Sequence, residues 1–133
     1  MRRRVIVAVV LLVCVVLPCA VAWGQVTGSR WWAIRLAEDP GISWILVTET
    51  PQYRVLRDFA EPGATRRMHH HADVRWHVLT LATGRLMLTV EGDAAVPVVA
   101  GQSLALKGGV NHTFTNVGPE TATIIEVFGK SKP

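Results

Sequence analysis

The 133-residue chain has only two cysteines, and both lie near its N-terminus, at Cys14 and Cys19. The chain after Cys19 therefore has no thiol with which to form a disulfide or bind a metal. This absence excludes a small scaffold that is held together by cross-links. We expect the stability of this part of the chain to come from a hydrophobic core or from a metal bound by other side chains.

Basic charge is also scarce once the first residues are set apart. Three of the 14 Lys and Arg residues are Arg2, Arg3 and Arg4, so the rest of the chain has 11 basic and 10 acidic side chains and a formal charge of +1. Its longest basic run is the pair Arg66-Arg67. A nucleic-acid-binding surface needs a larger positive patch than this pair provides. We therefore predict that the protein has no nucleic-acid partner.

The N-terminus has the three-part pattern of a secretory signal peptide. The arginine cluster after Met1 is followed by an uninterrupted apolar run, Val5–Val16, and then by small residues at Ala20 and Ala22. Small residues at two such positions are typical of a signal peptidase site. We predict that residues 1–22 are a signal peptide removed after Ala22, and that the protein is exported, either periplasmic or secreted.

Two alternatives remain open for this segment. Cleavage after Gly24 would place Ala22 and Gly24 at the same two small-residue positions. The 18 residues from Val5 to Ala22 carry no charge, a length at the short end of what spans a bilayer, so an uncleaved anchor is the other alternative. After cleavage we expect no stable membrane span.

The rest of the chain, about 110 residues, has the typical size of one domain. Residues 23–40 are predicted to be an N-terminal leader, in which residues 31–34 are compatible with either a first strand or a helical turn. After Pro40-Gly41 the sequence consists of short β-type runs separated by turn residues. We therefore predict that residues 41–133 form a single β-barrel domain.

Apolar and polar residues alternate along these runs, as at Leu86, Leu88 and Val90, which is the period of a half-buried strand. No long helical period follows residue 40. The predicted strands are residues 43–49, 53–59, 77–82, 86–90, 96–100, 103–106, 112–115 and 121–128. Strands at this spacing indicate an all-β fold, an antiparallel sandwich or barrel. Such a fold can enclose a small pocket lined by every second side chain of its strands.

All five histidines lie between residues 69 and 112, and three of them are adjacent. On a strand the side chains of His69 and His71 project from the same face, close enough to share one metal ion, while His70 points to the opposite face. An exposed run of histidines beside a loop is the alternative interpretation of this triplet.

The residues around this triplet resemble the first sequence motif of the cupin superfamily, which runs Gly, five residues, His-x-His, three or four residues, Glu, six residues, Gly. Here five residues separate Gly63 from His69, and six residues separate His77 from Gly84. The chain departs from the motif at His77, which stands where the family has a Glu. It also follows His71 after five residues instead of three or four.

A second segment resembles the other cupin motif, which runs Gly, five residues, Pro-x-Gly, two residues, His, three residues, Asn. Gly101, Gly109, His112 and Asn116 match this motif at every spacing, and Lys107 replaces its Pro. By its position, we expect Asn116 to form hydrogen bonds within the next turn rather than to contact a substrate.

The resemblance implies a cupin-type double-stranded β-helix, which is a jelly-roll barrel, and it implies a homodimer. It also implies one divalent transition metal bound by His69, His71, His77 and His112, a four-histidine variant of the family's site. The alternative for His77 is a pocket-lining residue beside a site of three histidines.

Four neutral nitrogen donors suit manganese, iron, nickel, copper or zinc better than calcium or magnesium. Without an anionic ligand the ion would keep its full positive charge, which favours a small anionic or chelating organic molecule as substrate. We therefore predict dioxygenase-type or related metal-dependent chemistry, with isomerase, lyase and cyclase reactions also open. A non-catalytic cupin that binds a metal or small ligand is the alternative class. No catalytic residue and no organic cofactor is assigned.

Five more residues are pocket candidates from sequence proximity or strand position. Trp76, Met87 and Phe114 could contact a ligand, although aromatic residues of a sandwich belong more often to the core. Arg66 and Arg75 could attract an anion, and a solvated edge is the interpretation that we favour for both.

Overall fold

Two antiparallel β-sheets make up the part of the protein that the computed structural model describes, residues 32–131. The strands are β1 Ile34–Arg35, β2 Ile42–Glu49, β3 Tyr53–Ala60, β4 Thr65–His69, β5 Val74–Thr83, β6 Arg85–Val90, β7 Val96–Val99, β8 Ser103–Lys107, β9 His112–Asn116 and β10 Ala122–Lys130. The six-stranded sheet has the order β1-β2-β3-β10-β5-β8, and the four-stranded sheet has the order β4-β9-β6-β7. The predicted all-β architecture is confirmed.

The predicted signal peptide, residues 1–22, lies outside the described residues. The predicted leader overlaps the description only in part, and there it contributes a strand. In β1, Ile34 pairs with Trp44 and Arg35 pairs with Ser43. The sheet therefore begins at Ile34, before residue 41. Within residues 32–131 no helix is long and apolar enough to span a membrane.

All eight predicted strands are found in the structure. β4 was missed, and β1 lies where the sequence left a first strand or a helical turn open. β1 is only two residues long, which is too short to show an alternating pattern. β4 contains Arg66 and Arg67, whose charges hide its strand character in the sequence. It ends at His69, so the strand that we inferred for the histidine triplet stops after the first histidine.

The hydrophobic core lies between the sheets and is built from alternate residues of the central strands. On β5, Leu79 and Leu81 are fully buried, and on β6, Leu86 and Leu88 face them from the other sheet. Ile124 of β10 completes this part of the core. Burial of such side chains is the main favourable contribution to folding.

A tight turn between β8 and β9 carries the chain to His112. A side chain at Gly108 would collide with the carbonyl oxygen of Val74, and Gly109 has a φ of 77°, in the left-handed region. Both positions therefore need glycine for a structural reason. The turn thus brings the start of β9 against β5, where the candidate site lies.

Candidate metal centre

The four histidines of the predicted site come from both sheets. His69 is the last residue of β4 and His112 is the first residue of β9, and the two are direct partners in the four-stranded sheet. His77 lies in β5 of the six-stranded sheet. His71 follows the end of β4 by two residues, in the connection to β5. One strand therefore does not carry the whole His-x-His pair, although His69 and His71 still turn toward each other.

The four rings cluster between the sheets. Ring centroids are 4.4 Å apart for His69 and His112, 5.0 Å for His69 and His71, and 5.1 Å for His77 and His112. The nitrogen atoms available for a metal on His69, His71 and His112 lie within 4.8 Å of one another. His77 belongs to a second group of the same compactness, with His71 and Glu126. His71 is therefore shared by the two groups.

The ring nitrogens are arranged as a metal site requires. His69 Nδ1 and His112 Nδ1 each donate to the backbone carbonyl two residues earlier, at 2.9 and 3.1 Å. Since a carbonyl oxygen only accepts, the lone pair of both neutral rings lies on Nε2. The Nε2 atoms of His71 and His112 are buried, and neither has a hydrogen-bond partner in the described part of the chain. Such atoms are uncommon in proteins, and a bound transition metal would satisfy them.

The environment keeps the histidines neutral, which is the form that binds a metal. Burial lowers the pKa of His69 to about 4, that of His71 to about 3 and that of His77 to about 4. Burial also lowers the pKa of His112. The neighbouring rings add to this effect at His71, because charging one imidazole disfavours charging the next.

Two buried carboxyl groups beside the histidines were missed by the sequence analysis. Glu126 Oε2 lies 3.1 Å from His77 Nε2, and both side chains are almost fully buried. Burial raises the pKa of Glu126 to about 7, and burial together with Glu126 raises that of Asp58. One feature of the sequence could have indicated Glu126. This residue occupies an inward position of β10 between the buried Ile124 and Phe128, where a charged residue is unusual.

A cavity of about 330 Å³ adjoins the cluster on the side of β2 and β3. Its polar lining includes two of the histidines and both buried carboxyl groups, and its other walls are mostly apolar. The lining residues are Leu36, Ile42, Trp44, Leu46, Glu49, Arg54, Leu56, Asp58, Arg66, His69, His71, Phe114 and Glu126. The site is therefore open to a small molecule that has both a polar and an apolar part.

The sequence of this region matches a known family. The model of the cupin domain family matches residues 59–128, which is more than half of the chain and includes all four histidines. The chain belongs to the cupin family. The resemblance inferred from the two motifs is therefore confirmed.

Known proteins that resemble this one carry names of different activities. The beta-alanine degradation protein BauB of Pseudomonas aeruginosa is 38% identical over 66 residues, covering 49% of this chain and 68% of BauB. The polyketide cyclase RemF of Streptomyces resistomycificus superposes with a TM-score of 0.64 at 14% identity, covering 76% of this chain and 75% of RemF. A recombinant oxalate oxidase in complex with glycolate gives a TM-score of 0.64 at 21% identity, covering 75% of this chain and 57% of the oxidase. The two solved structures support the fold alone.

The asparagine of the second cupin motif has the structural role that we expected. Asn116 Nδ2 donates to the carbonyl oxygens of Ala60 and Glu120, at 2.9 and 2.7 Å. Its Oδ1 accepts a hydrogen bond from the Gly118 amide at 2.9 Å. Asn116 therefore fixes the turn after β9 and ties it to β3.

The arginine best placed for a ligand in the cavity is not one that the sequence singled out. Arg66 lines the cavity, but it forms an ion pair with the buried Asp39. Arg75 is exposed, in agreement with a solvated edge. Arg54 lies over the ring of Phe128 at 5.1 Å and 4.0 Å from the exposed Asp73, and its buried Nε has no hydrogen-bond partner among the described residues. Arg54 is thus the best-placed cation for an anionic ligand.

Of the three hydrophobic candidates, only Phe114 lines the cavity, and it also belongs to the core. Trp76 lies on the opposite face of β5, where its half-exposed ring covers the backbone of Gly129. Met87 alternates with the buried Leu86 and Leu88, so it faces away from the core. The pocket interpretation of Trp76 and Met87 is therefore wrong, because neighbouring strand positions face opposite sides of a sheet.

Proposed function

We propose that this protein is an exported cupin that binds one divalent transition metal, manganese, iron, nickel, copper or zinc, through His69, His71, His77 and His112. We further propose that it uses this centre on a small anionic or chelating organic molecule, in dioxygenase-type or related chemistry. The observation that carries the proposal is the cluster of imidazoles in which the buried Nε2 atoms of His71, His77 and His112 have no hydrogen-bond partner among residues 32–131.

His77 is the member of this set that departs from the cupin motif, and its surroundings favour its inclusion. Its ring centroid lies 5.1 Å from that of His112 and 5.5 Å from that of His71. Its side chain is buried, and neither of its nitrogens forms a hydrogen bond with a described residue. A buried imidazole without partners is costly unless it binds something. A shared metal would remove that cost.

A bound divalent ion would polarise an oxygen atom of the substrate and stabilise negative charge that develops on it. The chain's own residues would do the rest of the work. Arg54 would attract the anionic group, and Trp44, Leu46 and Leu56 would contact an apolar part of the same molecule. The walls of the barrel would keep most water away, which strengthens each polar contact inside.

The proposed substrate class and reaction rest on the site, since the fold is shared by enzymes with different reactions. An oxygen-dependent reaction would be detected as oxygen consumption by the metal-loaded protein with catechol-like or diketone substrates. If the metal-loaded protein consumed no oxygen with any substrate of a broad panel, the result would favour the alternative, a non-catalytic binding cupin.

Export is proposed from the N-terminal sequence, which combines an arginine cluster, the apolar run Val5–Val16 and small residues before the predicted site at Ala22. The mass of the protein recovered from the periplasm or the medium tests this proposal. A mature N-terminus at Trp23 would support it. A full-length protein retained in the cell would contradict it.

A homodimer is proposed from an apolar row on the outer face of the six-stranded sheet. Val55, Val127 and Val78 are direct partners across β3, β10 and β5, and all three are only half-buried. A face of this kind suits a second copy of the same chain, since symmetric dimers use one patch twice. A monomeric mass in solution, by light scattering, would remove the proposal.

The metal content of the untagged protein tests the central proposal. Elemental mass spectrometry should find close to one transition metal per wild-type chain and very little in His71→Ala and His77→Ala. The matched control is His70→Ala, because His70 is exposed and its Nδ1 lies 3.1 Å from Asn111 Oδ1, outside the cluster. Metal lost with His71 but kept with His77 would leave a site of three histidines. A wild-type protein free of metal would contradict the proposal.

A further inference from the structure

We propose that Glu126 is a further ligand of this metal, so that β10 supplies the carboxylate that the first cupin motif lacks at His77. This inference rests on the proposed metal site. It assigns a role to a residue outside both cupin motifs, which end before β10 begins.

The first support is the geometry between Glu126 and His77. Glu126 Oε2 and His77 Nε2 are 3.1 Å apart, yet this nitrogen makes no hydrogen bond of acceptable direction to any described residue. Two donor atoms that bind one ion at about 2.1 Å and at right angles are roughly 3 Å apart. The observed separation therefore fits two atoms that face a common ion better than it fits a hydrogen bond between them.

The second support is the position of both side chains in the sheet. His77 is the direct partner of Phe128 across β5 and β10, and Glu126 is two residues earlier on the same face. Diagonal neighbours of this kind are within reach of long side chains. His71 approaches from the other side, and its available nitrogen lies within 4.8 Å of the donor atoms of His77 and Glu126.

The third support is that no arginine or lysine among the described residues forms a close ion pair with Glu126. Its side chain is 5% exposed, and the buried Asp58, whose hydrogen bond lowers the Glu126 pKa, brings no positive charge. Of the two arginines that influence it, Arg66 already pairs with Asp39, and Arg54 extends over Phe128 toward Asp73. A buried carboxylate is costly unless a charge compensates it. A divalent ion held by the histidines would supply that charge.

His71 belongs to both groups of candidate donors, and the five donor atoms do not all lie within 4.8 Å of one another. We propose that one ion draws the two groups together through His71. A neutral imidazole has a single free nitrogen and binds one metal. A carboxylate ligand would lower the net charge of the centre relative to four imidazoles alone. It would also add a hard oxygen donor, which shifts the preference toward manganese or iron.

The test is a titration of metal-free protein with Co²⁺, followed by the visible absorption of the bound ion. We expect Glu126→Gln to weaken Co²⁺ binding at least about tenfold, because mutations of residues around a bound metal commonly reduce metal affinity by that much. The absorption bands of the bound Co²⁺ should change as well. The matched control is Glu49→Gln, because Glu49 lines the same cavity but pairs with Lys130 at 2.7 Å. Its Co²⁺ affinity and spectrum should equal those of the wild type.

A second measurement uses the wild-type chain and so does not depend on the folding of a variant. On binding Co²⁺, the infrared difference spectrum of protein labelled with ¹³C-glutamate should show the carboxylate stretch of a newly bound glutamate. The absence of this band would overturn the inference, since a glutamate that only positions His77 stays free of the metal. Unchanged Co²⁺ affinity and spectrum in Glu126→Gln would overturn it too.

The outcomes separate this inference from the proposed function. If wild-type protein binds Co²⁺, His69→Ala loses it and Glu126→Gln does not, the histidine site stands and only the role of Glu126 fails. If wild-type protein binds no Co²⁺, both fail together.

Discussion

The same strands build two different regions of the barrel interior. On β5, Leu79 and Leu81 are fully buried in the core, whereas His77, one inward position earlier, lies among polar groups. On β10, Ile124 belongs to the core and Glu126, the next inward position, faces the histidines. On each strand the core and the candidate site are therefore separated by only one inward-facing position. The apolar region stabilises the fold, and it holds rigidly in place a polar region that costs stability.

The largest effect should come from truncating the apolar region. Leu81→Ala removes a fully buried side chain and should lower the free energy of unfolding by about 2–5 kcal/mol. The matched change in the polar region is His77→Leu in metal-free protein. It removes two buried nitrogens without partners, so it should cost no stability and is expected to add about 1 kcal/mol.

Urea unfolding followed by circular dichroism measures both changes. If His77→Leu lowered the free energy of unfolding as much as Leu81→Ala does, the polar region would stabilise the fold as the apolar region does, and the contrast between them would be wrong.

The polar region should also make the metal-free protein sensitive to acid. The folded-state pKa values of His71 and His77 are about 3 and 4, below the ordinary value of 6.5, so the unfolded chain binds protons first as the pH falls. This contribution is fully present above pH 6.5 and is lost as the pH falls toward 4. Glu126 acts in the opposite direction, because its pKa is raised to about 7 and its burial costs stability as the pH rises from 4.5.

Asp58, whose pKa is also raised by burial, acts in the same direction as Glu126. The four buried histidines outnumber these two carboxyl groups, so the net stability should fall between pH 6.5 and pH 4. Thermal unfolding across this range measures the effect, with His77→Leu as the variant in which the slope should be smaller. An equal slope in the two proteins would mean that buried histidines do not set the acid sensitivity.

The last expected effect is on ligand binding, in the cavity that adjoins the polar region. Arg54→Gln removes a cation whose buried Nε has no hydrogen-bond partner among the described residues, and it should weaken the binding of benzoate about threefold to tenfold, the value of one charge-assisted hydrogen bond. Binding of neutral benzamide should not change. The control is Arg75→Gln, because Arg75 is exposed, and calorimetry on metal-loaded protein provides the measurement. If Arg54→Gln binds benzoate as the wild type does, Arg54 does not recognise the anion.

Most of the fold could be predicted from the sequence, because alternation and turn residues are local signals. The same reasoning missed β4, where Arg66 and Arg67 interrupt the apolar pattern. It could not decide between a strand and a helical turn at β1, which is two residues long. These strands depend on pairing with distant partners, such as Thr65 with Thr115, rather than on their own residues. A local pattern cannot indicate a strand whose stability comes from its neighbours.

The candidate site divides in the same way. His69, His71 and His112 stand at the histidine positions of two spaced motifs, so the sequence could single them out, whereas His77 departs from its motif. Glu126, Asp58 and Arg54 carry no motif, and only the register of β3 with β10 brings them to the cavity. We expected a metal centre without an anionic ligand because no motif includes Glu126, which lies 49 positions beyond His77 in the sequence.

X-ray absorption spectroscopy of the purified, metal-loaded protein tests the metal centre most directly, because it counts the imidazoles bound to the ion itself. Our account predicts a first coordination shell of light atoms at about 2.0–2.2 Å, with the outer scattering of four histidine rings. His70→Ala should give the same spectrum as the wild type. A shell of oxygen atoms with fewer than three histidine rings would contradict the account.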